Sequence, residues 1–318
     1  MKLLGIKNIG STCYFASVLQ SIIYIKEIRK YFKTTTKENN CIDVLKEIMN
    51  VTSKSKGGVS STVVLDPSLI LSEFKKKFTW WDIREQQDAH ECFVNFIDLL
   101  QSVTKDKSCS LTFESSRNGY SKYIQYINSN PSIMSKLYYG LSSNYVKCTM
   151  CNNLSSSYEI INSVNVEVPE ENCYLSDLLQ KYITKEKHDD PDNLYHCDKC
   201  NKKVTMTKKT GFYKLPKILV VCLKRYNYSS YPPKKINTIV DYPVDGLRIR
   251  EQFSDKVKEY SLENIILHFG GFFGGHYTCV NRINNQWFNF DDENIRTVNE
   301  SGITKIRQAY ILTYRCLQ

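Results

Sequence analysis

Apolar residues recur at three- and four-residue steps through most of the first hundred positions, the spacing of helices that bury one face. Phe15, Val18, Leu19, Ile22, Ile23 and Ile25 predict a helix over about 12–30, and Ile42, Leu45, Ile48 and Met49 a second over 41–51. The polar stretch TSKSKGGVSST then reads as a loop. Asp66 as N-cap and Pro67 in the first helical position open a third helix carrying Leu69, Ile70, Phe74 and Phe78. A fourth is predicted over 85–103, with Ala89, Cys92, Phe93, Phe96, Ile97 and Leu100 along its stripe. From about residue 111 the texture changes to aromatic and β-branched residues alternating between turn clusters, which predicts strands, interrupted by a helix near Leu175 to Lys185. The unbroken apolar run from Leu215 to Tyr228 reads as a central strand buried on both faces, with Cys222 a structural residue inside it. Further strands are expected toward Tyr242, from Tyr260 to Phe269 and from Tyr277 to Val280. The chain is therefore of the α+β class.

A length of 318 residues allows one large domain or two ordinary ones, and 42% hydrophobic with 24% charged residues is enough for a substantial core. The opening MKLLGIKNIG is too short and too interrupted by Lys7 and Asn8 for a signal peptide, and no apolar run approaches a membrane span. A soluble, cytoplasmic protein is expected, with the nucleus as the alternative, so its twelve cysteines are expected to stay reduced, bind metal or do chemistry. The formal charge of +10 brings nucleic acid in as a partner to weigh.

Two Cys-x-x-Cys pairs bear on that question. Cys148 and Cys151 in KCTMC, with Cys197 and Cys200 in HCDKC, supply two thiolate knuckles that together complete a tetrahedral four-sulfur zinc shell. Four sulfur ligands leave no open position, so one structural zinc is expected and no catalytic metal. The 45 residues between Cys151 and Cys197 imply that the site pins a long insertion. From Leu141 to Leu215 ten lysines face ten acidic residues, so this insertion is formally neutral and poorly suited to gripping phosphates.

Cys13, in GIKNIGSTCYFASVLQ, falls where the first helix begins, with Ser11 as the expected N-cap. In the first turn, unpaired N–H groups and the helix dipole favour thiolate, although free cysteines are also common as small buried hydrophobes. The required base appears in HFGGFFGGHYTCV: His276 follows Gly270, Gly271, Gly274 and Gly275, an open loop beside which a substrate backbone can pass. His268, without such glycines beside it, reads as a packed strand histidine. In QWFNFDD, Asp291 and Asp292 end a short strand that a hairpin at Asn284 and Asn285 would return toward His276, where a carboxylate can fix the imidazole tautomer. In REQQDAHECF, Gln86, Gln87, Asp88 and Glu91 form a polar knot that reads either as an acidic first turn or as a ligand site, with His90 facing elsewhere.

The segments GIKNIGSTCY, QQDAHECF, CTMC, CDKC, LPKILVVCLKRY, GGHYTCV, WFNFDD and AYILTYR, in this order and spacing, resemble the catalytic domain of the ubiquitin-specific proteases over essentially the whole chain. The resemblance implies a papain-like cysteine protease core in one domain, with a helical thumb (1–110), zinc-ribbon β fingers (141–215) and a mixed palm (111–140 and 216–318). It makes Cys13 the nucleophile, His276 the base, Asp291 its orienting partner, Asp292 the adjacent acidic residue and Asn8 the oxyanion donor. Asp88 and Glu91 match positions that meet arginines of ubiquitin's tail, and Gln87, Gly274, Gly275 and Tyr277 border the same substrate path. Ser11 and Ala16 stand where the family usually has Asn. The implied activity is hydrolysis after the C-terminal glycine of ubiquitin, with ubiquitin and ubiquitinated proteins as partners of a monomeric enzyme. Two alternatives stand beside it: an inactive ubiquitin-binding module, which should lack a member of the Cys, His and Asp set, and a zinc-ribbon nucleic-acid binder, which the neutral insertion opposes.

Overall fold

The computed structural model describes residues 2–53, 62–112, 118–190, 192, 194–229, 231–252 and 257–317. The polar stretch expected as a loop lies largely outside these residues, and its last member, Thr62, already opens a strand. Among the described residues no helix is long and apolar enough to cross a membrane.

The helix expected over 12–30 is two helices, α1 (Cys13–Ile23) and α2 (Lys26–Thr34). No proline or glycine breaks them. Ile25 is extended (ψ 123°), and Arg29 Nη1 reaches back to the carbonyl of Ile23 while Nη2 meets Thr52 Oγ1, so the polar groups at the break are paired. Every residue of α1 is buried, Ser17, Gln20 and Ser21 included, which corrects the expectation of a one-sided helix. Gln20 Nε2 donates to the carbonyl of Leu4 and Ser21 Oγ to the carbonyl of Val18, and the backbone carbonyl of Ser21 accepts from Asn264 Nδ2 at 2.8 Å.

Three more helices complete this lobe, α3 (Asn40–Ser53), α4 (Ser68–Lys77) and α5 (Ala89–Val103), together with the parallel pair β1 (Leu3–Ile6) and β2 (Thr62–Leu65). In α4, Asp66 Oδ1 accepts the Ser68 N–H at 2.9 Å, and Leu69, expected in the core, is 68% exposed. All six residues of the predicted α5 stripe are buried, but the helix starts at Ala89 rather than Glu85. The strands expected from residue 111 are first two more helices, α6 (Asn118–Ser129) and α7 (Ile133–Tyr138), the latter opened by a Ser132–Ser135 capping box. Tyrosine and isoleucine stand here at helical intervals, Tyr120, Tyr123, Ile124 and Ile127, although their residue types favour strands.

Strands β3 (Gly140–Cys148), β4 (Leu154–Ile161), β7 (Lys185–His188) and β10 (Met206–Lys214) form a four-stranded sheet ordered β4-β3-β10-β7, and β8 (Tyr195–Cys197) pairs with β9 (Lys202–Val204). These are the fingers. The expectation of one fingers insertion over 141–215 is corrected here: β5 (Val164–Glu167) joins the main sheet, and helix α8 (Leu175–Tyr182) packs with it. A two-residue strand, β6 (Cys173–Tyr174), pairs with β14 (Val240–Asp241).

The palm sheet runs β19-β18-β17-β16-β20-β11-β5, from β11 (Ile218–Lys224), β16 (Val257–Gly270), β17 (Gly275–Ile283), β18 (Gln286–Asp291), β19 (Asn294–Val298) and β20 (Ala309–Cys316), with β15 (Leu247–Arg250) paired to β16. Side chains alternate faces along a strand, and β11 shows the consequence. Ile218, Val220 and Cys222 enter the core shared with α1 and α5, whereas Leu219, Val221 and Leu223 enter a second core on the opposite face with Leu312 and Tyr314. The sheet is thus covered on both sides, and α1 lies against β17, the strand that begins at Gly275.

Candidate active site

Thr12, not Ser11, is the N-cap residue of α1, and its side chain caps no helical N–H. The turn before the helix is tied by Asn8, whose Oδ1 accepts from Gly10 N (3.2 Å), Thr12 N (3.3 Å) and Thr12 Oγ1 (3.2 Å). Cys13 is buried, only 3% exposed. Burial raises its thiol pKa and the Asp292 carboxylate adds to the rise, while N–H groups of Tyr277, Tyr14 and Cys13 itself pull it down. The N–H groups near the helix start do favour thiolate, as expected, but desolvation outweighs them and raises the thiol pKa. The Tyr277 N–H contact seats Cys13 beside the backbone that carries His276.

His276 lies on β17 and Asp291 at the end of β18. The hairpin between them turns at Asn284 and Asn285 in left-handed conformations (φ 51° and 61°), with Ile283 paired to Gln286, as the Asn-Asn pair predicted. Its register brings His276 Nε2 to 2.6 Å from Asp291 Oδ1. The next residue stays in the same cluster, within 4.8 Å of His276 and Asp291, but bonds a different partner. Asp292 is itself left-handed (φ 51°), and its Oδ2 accepts from Asn8 Nδ2 at 2.9 Å while its carbonyl accepts from Ile6 N at 2.9 Å. Burial raises the Asp292 pKa against the lowering influence of Asn8 and His276, and Oδ1 is buried without a hydrogen-bond partner. One N–H of the Asn8 amide is thus committed to Asp292 and its oxygen to the turn. Strand β1 can lie this close only because Gly5 lacks a side chain: a Cβ there would stand 2.6 Å from the Glu293 carbonyl oxygen.

A cleft of about 710 Å³ is walled by Gln86, Gln87, Asp88, Gly274, Tyr277 and Tyr310 among others; Gly274 and Tyr277 lie on either side of His276 in the chain, while His276 and Cys13 themselves do not line it. Glu91 and Gly275, expected on the substrate path, are not part of its lining. Asp88 caps α5, its Oδ1 accepting from His90 N and Glu91 N, and Oδ2 accepts the Tyr310 hydroxyl at 2.5 Å. The helix-dipole reading of Asp88 is therefore realised, with the carboxylate still at the cleft wall. Gln87 Nε2 donates to the Asp82 carbonyl, and Gln86 bridges to Gly275 twice, donating to its carbonyl (2.8 Å) and accepting from its N–H (2.7 Å). That bridge was missed; the polar knot around Gln86 was its only sequence signal. His90, expected to face elsewhere, bonds Ser163 Oγ at 2.9 Å and is itself part of the cleft lining. His268 is packed, as expected, against Tyr277 (centroids 4.5 Å apart), and burial, then the neighbouring Lys235, lowers its pKa to about 4.

The four paired cysteines converge at the tip of the fingers. Cys148 Sγ lies 3.8 Å from Cys200 Sγ and Cys151 Sγ 3.7 Å from Cys197 Sγ, and all four sulfurs fall within 4.8 Å of one another. Thiolates about 2.3 Å from a tetrahedral zinc stand roughly 3.8 Å apart, so the set fits one structural zinc. Each knuckle closes alike: Asn152 and Asn201, the residues after each pair, are left-handed (φ 56° and 49°) and donate to the carbonyls of Cys148 and Cys197.

Residues 4–314 match the family model described as ubiquitin carboxyl-terminal hydrolase. Ubiquitin carboxyl-terminal hydrolase 3 of Homo sapiens is 26% identical over 355 residues, covering 98% of this chain and 67% of the relative. Ubiquitin carboxyl-terminal hydrolase Usp2 of Drosophila melanogaster is 25% identical over 327 residues, covering 98% of this chain and 34% of its own. Among solved structures, the SAGA Ubp8/Sgf11/Sus1/Sgf73 DUB module bound to ubiquitin aldehyde superposes with a TM-score of 0.74 at 21% identity, over 99% of this chain and 69% of that one. The Ubp8-Sgf11-Sgf73-Sus1 SAGA DUB module gives 0.73 at 22%, over 99% and 67%. At such identity the likeness concerns the fold, including its thumb, palm and fingers.

Two outcomes are expected from this geometry. Protein purified without chelator carries one zinc per chain by elemental analysis, and Cys197→Ser loses the metal and melts at lower temperature, because forming the site and folding the fingers are coupled; metal-free protein with an unchanged melting curve would contradict the assignment. In the free protein, alkylation of Cys13 by iodoacetamide, followed on its own peptide by mass spectrometry, keeps accelerating up to about pH 9, since the thiol lies above its ordinary value of roughly 8.5. A rate already flat from about pH 6 would mean a resting thiolate.

Proposed function

The chain belongs to the ubiquitin carboxyl-terminal hydrolase family, and from that premise we propose that it cleaves the peptide or isopeptide bond after the C-terminal glycine of ubiquitin with Cys13 as nucleophile and His276 as base. The observation that carries the assignment is the 2.6 Å bond from His276 Nε2 to Asp291, on a strand whose next residue, Tyr277, offers its backbone N–H to Cys13. Asp291 accepts a hydrogen bond from the Nε2–H, which fixes that tautomer and leaves Nδ1 as the basic nitrogen. Nδ1 accepts the Cys13 proton as sulfur attacks the glycine carbonyl carbon. The tetrahedral oxyanion collapses, the C–N bond breaks, and the imidazolium gives its proton to the departing amine. Water then adds to the thioester, losing a proton to His276, and the C–S bond breaks to release the ubiquitin carboxylate and restore the thiol.

The second N–H of the Asn8 amide, with the Cys13 backbone N–H, is proposed to meet the oxyanion. Asp292 serves this by holding the amide through its other N–H and not by orienting the histidine. Gly274, which lines the cleft without a side chain, is proposed to let a Gly-Gly terminus pass. Asp88 at the cleft wall and the exposed Glu91 one turn on are the acidic groups proposed for the arginines of ubiquitin's tail.

A ubiquitin probe with a C-terminal electrophile should form one adduct, on Cys13; labelling that survives Cys13→Ala would overturn the nucleophile. For Asn8→Ala, kcat on a ubiquitin C-terminal amide should fall by roughly a hundred-fold or more, with ubiquitin affinity in a Cys13→Ala background within about threefold. Because Asn8 also ties the turn, melting falls modestly too. A kcat loss no larger than the loss of affinity would assign Asn8 to the turn alone.

A further inference from the structure

The glycine turn that leads into His276 is held from two sides. On the helical side Gln86 bonds both the N–H and the carbonyl of Gly275. On the sheet side the turn meets a short hairpin, β12 (Tyr226–Asn227) paired with β13 (Lys234–Lys235). From it Lys235 Nζ donates to the His268 carbonyl (2.8 Å), the Gly270 carbonyl (2.9 Å) and His268 Nδ1 (3.0 Å), and the Tyr226 hydroxyl donates to the Gly271 carbonyl (3.0 Å). An ammonium has three N–H groups, and all three are used on one junction, the end of β16 and the first residue of the turn. None of these acceptors is a carboxylate, so the charge is held in a partly desolvated place by neutral oxygens and one ring nitrogen, an arrangement that costs free energy. The turn itself is closed by Gly271 N donating to the Gly274 carbonyl at 2.9 Å. Gly275 cannot shift inward, since even a Cβ there would stand 2.3 Å from His268 Nε2. The same ring is the one Lys235 fixes.

We propose that Lys235 is a positioning residue of the hydrolytic reaction: its ammonium locks the junction of β16 and the glycine turn, and so sets where His276 stands relative to Cys13. This deepens the proposed function and rests on Cys13 and His276 as the reacting pair. A misplacement of about 1 Å in such a pair can cost on the order of a hundred-fold in rate, while binding of the ubiquitin body elsewhere is untouched. The clamp also carries a pH signature. Burial first, then the charge of Arg225, lowers the Lys235 pKa to about 8. Arg225, Tyr226 and His268 face it, and beyond the His268 ring stand Asp88 and His276. Below that pH the ammonium makes all three bonds. As the pH rises through it, one donor is lost and the junction loosens, so the rate falls on the alkaline side.

The test is steady-state hydrolysis of a ubiquitin C-terminal fluorogenic amide by wild type, Lys235→Met and Lys235→Arg between about pH 6 and 10, with ubiquitin affinity measured in a Cys13→Ala background. The expected result is a ten- to hundred-fold loss in kcat for Lys235→Met with affinity within about threefold. Wild-type kcat should decline above about pH 8, and Lys235→Arg, which cannot lose its proton, should lack that decline. Unchanged kcat in Lys235→Met, affinity lost in step with kcat, or the same alkaline decline in Lys235→Arg would each overturn the role. If Lys235→Met fails to fold, the comparison of wild type with Lys235→Arg decides. A wild type without activity would bring down the hydrolase reading itself, whereas an active wild type indifferent to Lys235 strikes only the clamp.

Discussion

The site depends on one seam, where the first strand of the chain lies against the turn after β18. Ile6 N bonds the Asp292 carbonyl, and Asn8 Nδ2 bonds the Asp292 carboxylate across a separation of 284 residues. Everything that brings sulfur to imidazole follows from that seam: β1 leads through the Asn8 turn into α1, and β18 ends in the carboxylate that holds His276. Such a contact forms only after most of the chain is in place, because closing so long a loop costs entropy before any bond rewards it. The active site is thus a product of completed folding.

Two adjacent carboxylates at this seam take different roles because the backbone separates them. In a regular strand, successive side chains point to opposite faces. Asp291, the last residue of β18, meets the imidazole, and the left-handed Asp292 directs its side chain to Asn8 on the other element. Burial then works in one direction on both reacting and supporting groups, raising Cys13 and Asp292. Under the proposed function such a thiol is a nucleophile made on demand, giving its proton to the base as the substrate arrives.

Rigidity is distributed unevenly around this centre. The palm is packed on both faces, α1 is buried along its whole length, and the four-sulfur cluster secures the far end of the fingers, where the packed apolar cluster includes only Val204 and partly buried Tyr195 besides the cysteines. The glycine turn is packed only at its edge. It is held by polar side chains from both lobes, Gln86 on one side and Lys235 with Tyr226 on the other, while its own Phe272 and Phe273 stay exposed and line the cleft, Phe272 against the Tyr226 ring at 5.8 Å between centroids.

What the sequence determined by itself is local. The α5 stripe, the two-faced burial of β11, the Asn-Asn hairpin and the two zinc knuckles could be read because each depends on residues within about one turn or one strand pair of one another. The paired motifs also marked Cys13, His276, Asp291 and the four sulfurs. The sequence misled where one periodicity served two structures: tyrosine-rich helices α6 and α7 resembled strands, and the hydrophobic run that suggested one long helix breaks at Ile25, where Arg29 and Thr52 absorb the freed polar groups. Only the tertiary structure decided that β5 and α8, inside the zinc insertion by sequence, belong to the palm. It likewise decided that Asp88 spends its carboxylate on a helix cap and on Tyr310, and that Asp292 serves Asn8. Each of these is a pairing between distant segments, where burial and hydrogen-bond satisfaction are settled by which surfaces meet and not by the residues' own spacing.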